Sequence, residues 1–331
     1  MELPKFVQIE PVGQCNLKCR MCPIQFRQDG ARGGPAAFMP YGVFCELVDQ
    51  FQGMEELHLQ GLGEPMLHPR FFDMVRYAAG RGVRVSTNTN LTVCTEARVR
   101  DCLDSGLAAL YVSLDGASAE VFEAIRTGAR FDRMLANLRR LTRMRRERAA
   151  PLHVGIVAVA MRLNLHELAD IVRIAHELGV DEVSVQHLCH DFGEDSLPAH
   201  YRPMRRFVDQ QTLTDEDPER VAFHFEAARR AAQALGMPLR LPAIDREPAA
   251  AARPAGSRCD WPRRGAYLSY RGEAMPCCMV ATPDRVNFGN MAQAGVQAIW
   301  NGDAYEDFRR RLASDEPPEI CRSCSVYAGT F

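Results

Sequence analysis

Across 331 residues the chain carries 40 basic and 42 acidic side chains, for a formal net charge of −2. A balance so close to zero excludes a global field that would recruit nucleic acid or an anionic membrane, which leaves a small molecule or a peptide as the default partner. The first ten residues, MELPKFVQIE, lack a basic segment followed by an apolar run, and no apolar stretch reaches the roughly 18 residues a membrane span needs. A cytoplasmic protein is therefore expected, and in that reducing compartment its 12 cysteines read as metal ligands or redox groups rather than as a disulfide framework.

In chain order, the apolar run FVQIE (6–10) predicts a first strand. A loop from Pro11 to Pro40 follows, rich in Gly and Pro, long enough to be functional, and carrying QCNLKCRMCP (14–23). Thereafter strands ELHLQG, VRVSTN, ALYVSL, HVGIVAVAM and EVSVQHL alternate with helical patterns such as GVFCELVDQF, PRFFDMVRYAAG, TEARVRDCLDSG and HELADIVRIAHELG. Thr95, Ser118 and Asn164 stand where N-caps belong. Strands alternating with helices imply βαβ units and a parallel sheet. Six such strands are too few for a closed eight-stranded barrel, so a partial barrel or a doubly wound sheet is expected, with its site at the carboxyl ends of the strands.

Past Leu188 the pattern changes. Residues 189–216 are polar and irregular, PERVAFHFEAARRAAQALG (218–236) is one amphipathic helix, PLRLP is strand-like, and the Ala- and Pro-rich 243–257 reads as a linker. The remainder, 258–331, holds five cysteines and few apolar runs, so a metal staple is expected there.

Cys15, Cys19 and Cys22 supply three thiolates where ordinary 4Fe-4S clusters and structural zinc sites take four ligands, so one metal position is left for something else. A zinc site completed by a distant His is the alternative. This C-x3-C-x2-C loop after a first strand resembles the signature of the radical S-adenosylmethionine (SAM) superfamily. The resemblance implies a partial (β/α)6 barrel, and an open iron that chelates the amino and carboxylate groups of SAM. Reductive cleavage of SAM then gives a 5'-deoxyadenosyl radical that abstracts hydrogen. GLGEP (61–65) resembles the family's glycine-glutamate-proline motif, which assigns Gly61, Gly63, Glu64 and Pro65 to SAM. Asn88, Ser113, Asp115 and Asn164, at or just past strand ends, are similar to its ribose and carboxylate contacts, with helix capping as the bland reading.

CDWP, MPCCM, FGN, AIWN and CRSC resemble, in this order, the SPASM and shorter twitch extensions of the same superfamily. Cys259, Cys277 or Cys278, Cys321 and Cys324 suffice for one fully ligated 4Fe-4S cluster. Their spacing looks like the single-cluster arrangement of the aminocyclitol dehydrogenase of butirosin biosynthesis, which favours Cys277 and leaves Cys278 facing the core. The implied organisation is a barrel over 1–190, an insertion with helix and linker over 191–257, and an auxiliary cluster module over 258–331.

A fully ligated cluster suits electron transfer. The function expected is therefore oxidation of a secondary alcohol on a sugar, aminocyclitol or nucleoside, with an external one-electron reductant such as flavodoxin or ferredoxin. The alternatives are redox-neutral decarboxylation or epimerisation, maturation of a peptide or protein side chain, and a non-enzymatic iron-sulfur or zinc adaptor. Glu10, Arg162 and Cys189 are the candidate catalytic residues, with His187, His190 and Asp191 nearby; Cys189 would donate hydrogen to a substrate radical. With nothing ahead of the first strand to bind a leader peptide, and an insertion and a module to cover the barrel mouth, a compact small-molecule substrate is expected.

Overall fold

The computed structural model describes residues 1–28, 37–188, 193–243, 259–280 and 282–328. Cys189, His190, Asp191 and nearly all of the 243–257 linker lie outside the described residues.

Six parallel strands form the centre: β1 (Phe6–Ile9), β2 (Glu56–His58), β3 (Arg84–Thr89), β4 (Ala109–Ser113), β5 (His153–Ala160) and β6 (Glu182–His187). They lie side by side in chain order, and β7 (Leu239–Arg240), from the stretch after the insertion helix, adds in parallel beside β6. A doubly wound sheet reverses its order at a switch point; β1 to β7 run in one direction without reversal, so their winding is that of an open barrel. The C-terminal module supplies the other edge. Its β8 (Gly265–Leu268) pairs in parallel with β1, Phe6 opposite Gly265 and Ile9 opposite Leu268, and β9 (Ala274–Met275) turns back antiparallel on β8.

The helices α1 (Tyr41–Gln50), α2 (Phe71–Ala79), α3 (Glu96–Asp104), α4 (Ala119–Ile125), α5 (Phe131–Glu147) and α6 (Leu168–Glu177) connect the strands, and α7 (Arg202–Gln211) and α8 (Pro218–Leu235) follow. Thr95 and Ser118 cap α3 and α4 as expected, accepting the amides of Arg98 and Val121. Each helix buries an apolar stripe, as Phe71, Met74, Val75 and Ala78 do on α2. On the strands one set of alternate residues (Val85, Leu110, Val112, Ile156, Ala158) is buried under the helices, while the other set is polar or half-buried: Ser86, Asn88, Ser113, Ser184 and Gln186. That second set faces the barrel interior, and its last members stand at the carboxyl ends.

A small second core of Phe308, Leu312 and Tyr327 packs with Cys259, Cys321 and Cys324. Beside it the buried Arg309 guanidinium lies 4.0 Å from the rings of both Trp300 and Tyr305 and donates to the carbonyls of Pro262 and Trp300. The Trp300 indole N–H donates to the Glu2 carbonyl at 2.9 Å, fixing the module to the first residues of the chain. Among the described residues, no helix is long and apolar enough to cross a membrane.

Candidate cluster and cofactor site

The loop after β1 alternates by residue. Leu17, Cys19 and Met21 are buried while Lys18 and Arg20 are exposed, which turns Cys19 inward. Two pairs of backbone bonds hold it: Lys18 and Arg20 donate to Thr127 and Ile125 at 2.9 and 3.0 Å, and Gly13 and Met39 donate to Ala37 and Pro11. Cys15, Cys19 and Cys22 thereby border a cavity of about 230 Å³ whose walls include Gly61, Gly63, Glu64, Asn88, Ser113, Arg126, Gln186 and His187. Burial pushes the Cys15 thiol up to about 12 and raises Cys19 and Cys22 as well, while the nearby Arg126 pulls the other way. Thiols so situated ionise when a metal takes the proton's place. Three sulfurs around one cavity fit a cluster held by thiolates with an open iron.

Gly61 and Gly63 answer a close approach within the protein. A Cβ built on Gly63 would stand 1.9 Å from the Val12 carbonyl oxygen and 2.7 Å from that of Gln14; one on Gly61 would meet Glu10 Cβ at 2.5 Å. The glycines thus let the β2 loop press against the cysteine loop, where the Glu64 amide donates to Gln14 at 3.0 Å. Glu64 is 2% exposed. Its Oε1 accepts Thr89 Oγ1 at 2.6 Å and the Met66 amide at 3.1 Å, and its Oε2 accepts the Asn90 amide at 2.8 Å. Burial pushes this carboxyl up, and those three donors pull against the shift. Asn90 then reaches Cys15 Sγ at 3.7 Å, a link from the glutamate loop to the cysteines.

Other expected site residues are brought together for different work. Glu10 is fully buried. Its Oε1 accepts Arg27 Nη1 at 2.8 Å and the Leu62 amide at 3.0 Å, and its Oε2 accepts the Tyr270 amide at 3.4 Å. It ties cysteine loop, glycine loop and C-terminal module into one node and does not border the cavity. Arg162 pairs with Glu216 at 3.1 Å, away from the cavity. Asp115 is enclosed, with Oδ2 2.7 Å from Arg126 Nη2 and Oδ1 accepting the Val159 amide. Asn164 caps no helix with its side chain. Its amide instead donates to the carbonyls of Asp115 and Val159 and accepts Met161 N, closing the ends of β4 and β5. Pro65 is buried at the start of a short turn. Glu10, Asp115 and Asn164 each hydrogen-bond or ion-pair to a neighbouring element, so they brace the strand ends.

Arg126 was not anticipated. It follows α4 directly, borders the cavity, and its Nη1 stands 3.9 Å from Cys19 Sγ. Its signal in the sequence was only an arginine after the last apolar residue of a helix. Gln60, Gln186 and Leu188 are further wall residues that strand patterning alone did not single out.

In the C-terminal module five cysteines gather. Cys277 feels the charges of Cys278, Cys321 and Cys324, and Cys278 those of Cys324 and Cys259; burial with these neighbours raises Cys277 strongly and takes Cys278 to about 11. Cys278, expected from the sequence to face the core, is half-buried, with its thiol within electrostatic reach of Cys259 and Cys324. Four of these five thiols suffice for a fully ligated cluster with no iron left open.

The family description "Radical SAM superfamily" matches residues 9–175. The chain belongs to the radical SAM superfamily. An iron-sulfur cluster-binding domain of the SPASM type matches residues 259–325. The protein is accordingly an enzyme, whose cofactors are SAM with its 4Fe-4S cluster and an auxiliary cluster. Over 97% of its length it is 24% identical to the tungsten-containing aldehyde ferredoxin oxidoreductase cofactor-modifying protein of Pyrococcus furiosus, spanning 87% of that protein. Over 98% it is 27% identical to the PqqA peptide cyclase of Rhodopseudomonas palustris, spanning 80%. Its fold is similar to that of Streptococcus suis SuiB bound to precursor peptide SuiA, with a TM-score of 0.69 at 14% identity, covering 99% of this chain and 71% of that one.

Proposed function

We propose that this enzyme modifies a peptide, abstracting hydrogen from one of its carbons and delivering the resulting electron to the auxiliary cluster. The similarity to a PqqA peptide cyclase along almost the whole chain carries this reading. Oxidation of a free sugar or aminocyclitol alcohol, the expectation from the sequence, has less support, because the two relatives are named for a peptide and for a cofactor.

In this reading Cys15, Cys19 and Cys22 hold the first cluster, and Cys259, Cys277, Cys321 and Cys324 the auxiliary one. With both bound, SAM and the cluster supply the hydrogen-abstracting radical, and the protein's own residues arrange everything else. The glycine loop sets the amino-acid end of SAM against the cysteine loop, and Glu64, Asn88, Ser113 and Arg126 line its bed. Gln186 and His187 border the side from which a peptide side chain would arrive. Glu10, Asp115 and Asn164 keep the loops in register. Flavodoxin or ferredoxin supplies the electron, and the three segments bounded at residues 190 and 257 divide this labour.

The test uses extract from cells grown in D2O, separated by size into peptide and metabolite fractions and given to the reconstituted enzyme with SAM and reductant. Deuterium is expected in 5'-deoxyadenosine with the peptide fraction, lost after protease treatment and absent with Cys19→Ala. Transfer only from the metabolite fraction overturns the proposal.

A further inference from the structure

Glu194 and Arg285 form an ion pair that the cavity beside the cysteine loop does not explain. Arg285 Nη2 and Nε lie 2.5 and 2.7 Å from Glu194 Oε1, and the side chains are 4% and 3% exposed. Glu194 Oε2 is buried and makes no hydrogen bond, so among the described residues the Glu194 charge is answered by Arg285. Burying such a pair is costly, and its retention calls for a role in fixing one arrangement. Arg285 spends its remaining Nη1 on the carbonyls of Met279 and Val280, at 3.4 and 3.1 Å, immediately past Cys277 and Cys278. Glu194 lies a few residues beyond His187 and Leu188, which border the SAM cavity.

Five further contacts run the same way. The Ser196 amide donates to Glu319 Oε1 at 3.1 Å, two residues before Cys321. A Cβ on Gly193 would stand 2.5 Å from Ser323 Oγ, between Cys321 and Cys324. Tyr201 donates to Thr282 at 2.9 Å and to Asp284 at 3.1 Å, and His200 lies 3.0 Å from Asp284. Residues 193–201 therefore rest on both cysteine-bearing segments of the module.

We propose that the Glu194–Arg285 pair is a positioning latch: it sets the Cys277–Cys278 turn, and with it the auxiliary cluster, relative to the chain that borders the SAM cavity. Geometry at the auxiliary cluster then bears on residues 193–201, the stretch that follows the wall of the SAM cavity. The proposal does not depend on the substrate being a peptide.

The test uses the full-length reconstituted protein in the Cys15→Ala, Cys19→Ala, Cys22→Ala background, where only the auxiliary cluster contributes a signal. Glu194→Gln removes one charge. Glu194→Leu with Arg285→Met replaces the pair by apolar groups, an exchange that leaves stability near neutral. Both are expected to keep the cluster's iron yet shift its midpoint potential and electron paramagnetic resonance g values. Trypsin should also cut after Arg205 and Arg206 about tenfold faster, because α7 opens more readily. A folded double variant with unchanged potential, spectrum and cleavage overturns the latch. Independently, amide exchange over 193–201 in the unaltered protein should quicken when a chelator strips the iron; protection that is unchanged by iron loss overturns it equally.

Discussion

Gly63→Ala tests whether the glycine loop is set by the protein's own backbone. The new Cβ would stand 1.9 Å from the Val12 carbonyl oxygen; since such carbon–oxygen contacts settle near 3.3 Å, the two loops must part by about 1.4 Å. The obstructing atoms are backbone, and neither loop yields freely: Gly13 is bonded to Ala37, and Glu64 to Gln14. Overpacking of this kind costs about 1–3 kcal/mol, which leaves the chain folded. Displacing cluster loop and SAM bed by more than an ångström, by contrast, costs on the order of 10²-fold in rate. The expected result is near-normal iron content and a modest loss in urea denaturation, with 5'-deoxyadenosine formation down about a hundredfold. Gly42→Ala is the control, because nothing lies within 4 Å of its Cβ. It sits in the first turn of α1 and should gain roughly 0.5–1 kcal/mol with cleavage unchanged. A folded Gly63→Ala protein that cleaves SAM at near the normal rate would refute the reasoning.

Arg27→Met strands the fully buried Glu10 carboxylate; a loss of about 3–5 kcal/mol is expected, read as a lowered midpoint of thermal unfolding, and an unchanged midpoint would deny the node its role. Arg126→Met removes a cation 3.9 Å from Cys19 Sγ. Positive charge favours the reduced cluster, so the first cluster's potential should fall by tens of millivolts, about 59 mV for each tenfold change in equilibrium; electrochemical titration decides. His58, half-buried on β2 between β1 and β3 and 2.9 Å from Ser86 Oγ, is held near 4 by desolvation of its ring, against 6.5 in an unfolded chain. Its folded form resists the proton, so the stability it contributes is whole above pH 6.5 and drains away as pH falls toward 4. His58→Gln should flatten that part of the urea-stability profile, and identical profiles would show that His58 does not titrate as described.

The six central strands, the caps at Thr95 and Ser118 and the cysteine groups were all legible, because periodicity, capping and ligand spacing are local signals. Glu10, Asp115 and Asn164 were legible only as polar residues at strand ends. Whether such a residue opens to a cavity or is closed off depends on a partner elsewhere: Arg27 and Tyr270 for Glu10, Arg126 for Asp115, the Val159 carbonyl for Asn164. Arg126 itself escaped for the same reason, since nothing near it in the chain points to Cys19. The strand β8 was hidden in GAYL, four residues whose pairing with Phe6–Ile9 has no local trace.

That last pairing bears on the order of assembly. The Tyr270 amide and the Glu10 carboxylate that accepts it are 260 positions apart, and β1 is flanked on one side only until Gly265–Leu268 arrives. Contacts between such distant segments form late and slow a chain's folding, so the first cysteine loop lacks its final support until synthesis has passed β8. Iron loading of a nascent chain is then premature. The ribosome must release the chain past β8 before the loop can hold its metal firmly, and an unpaired β1 edge in the interval is the segment a chaperone would most usefully shield.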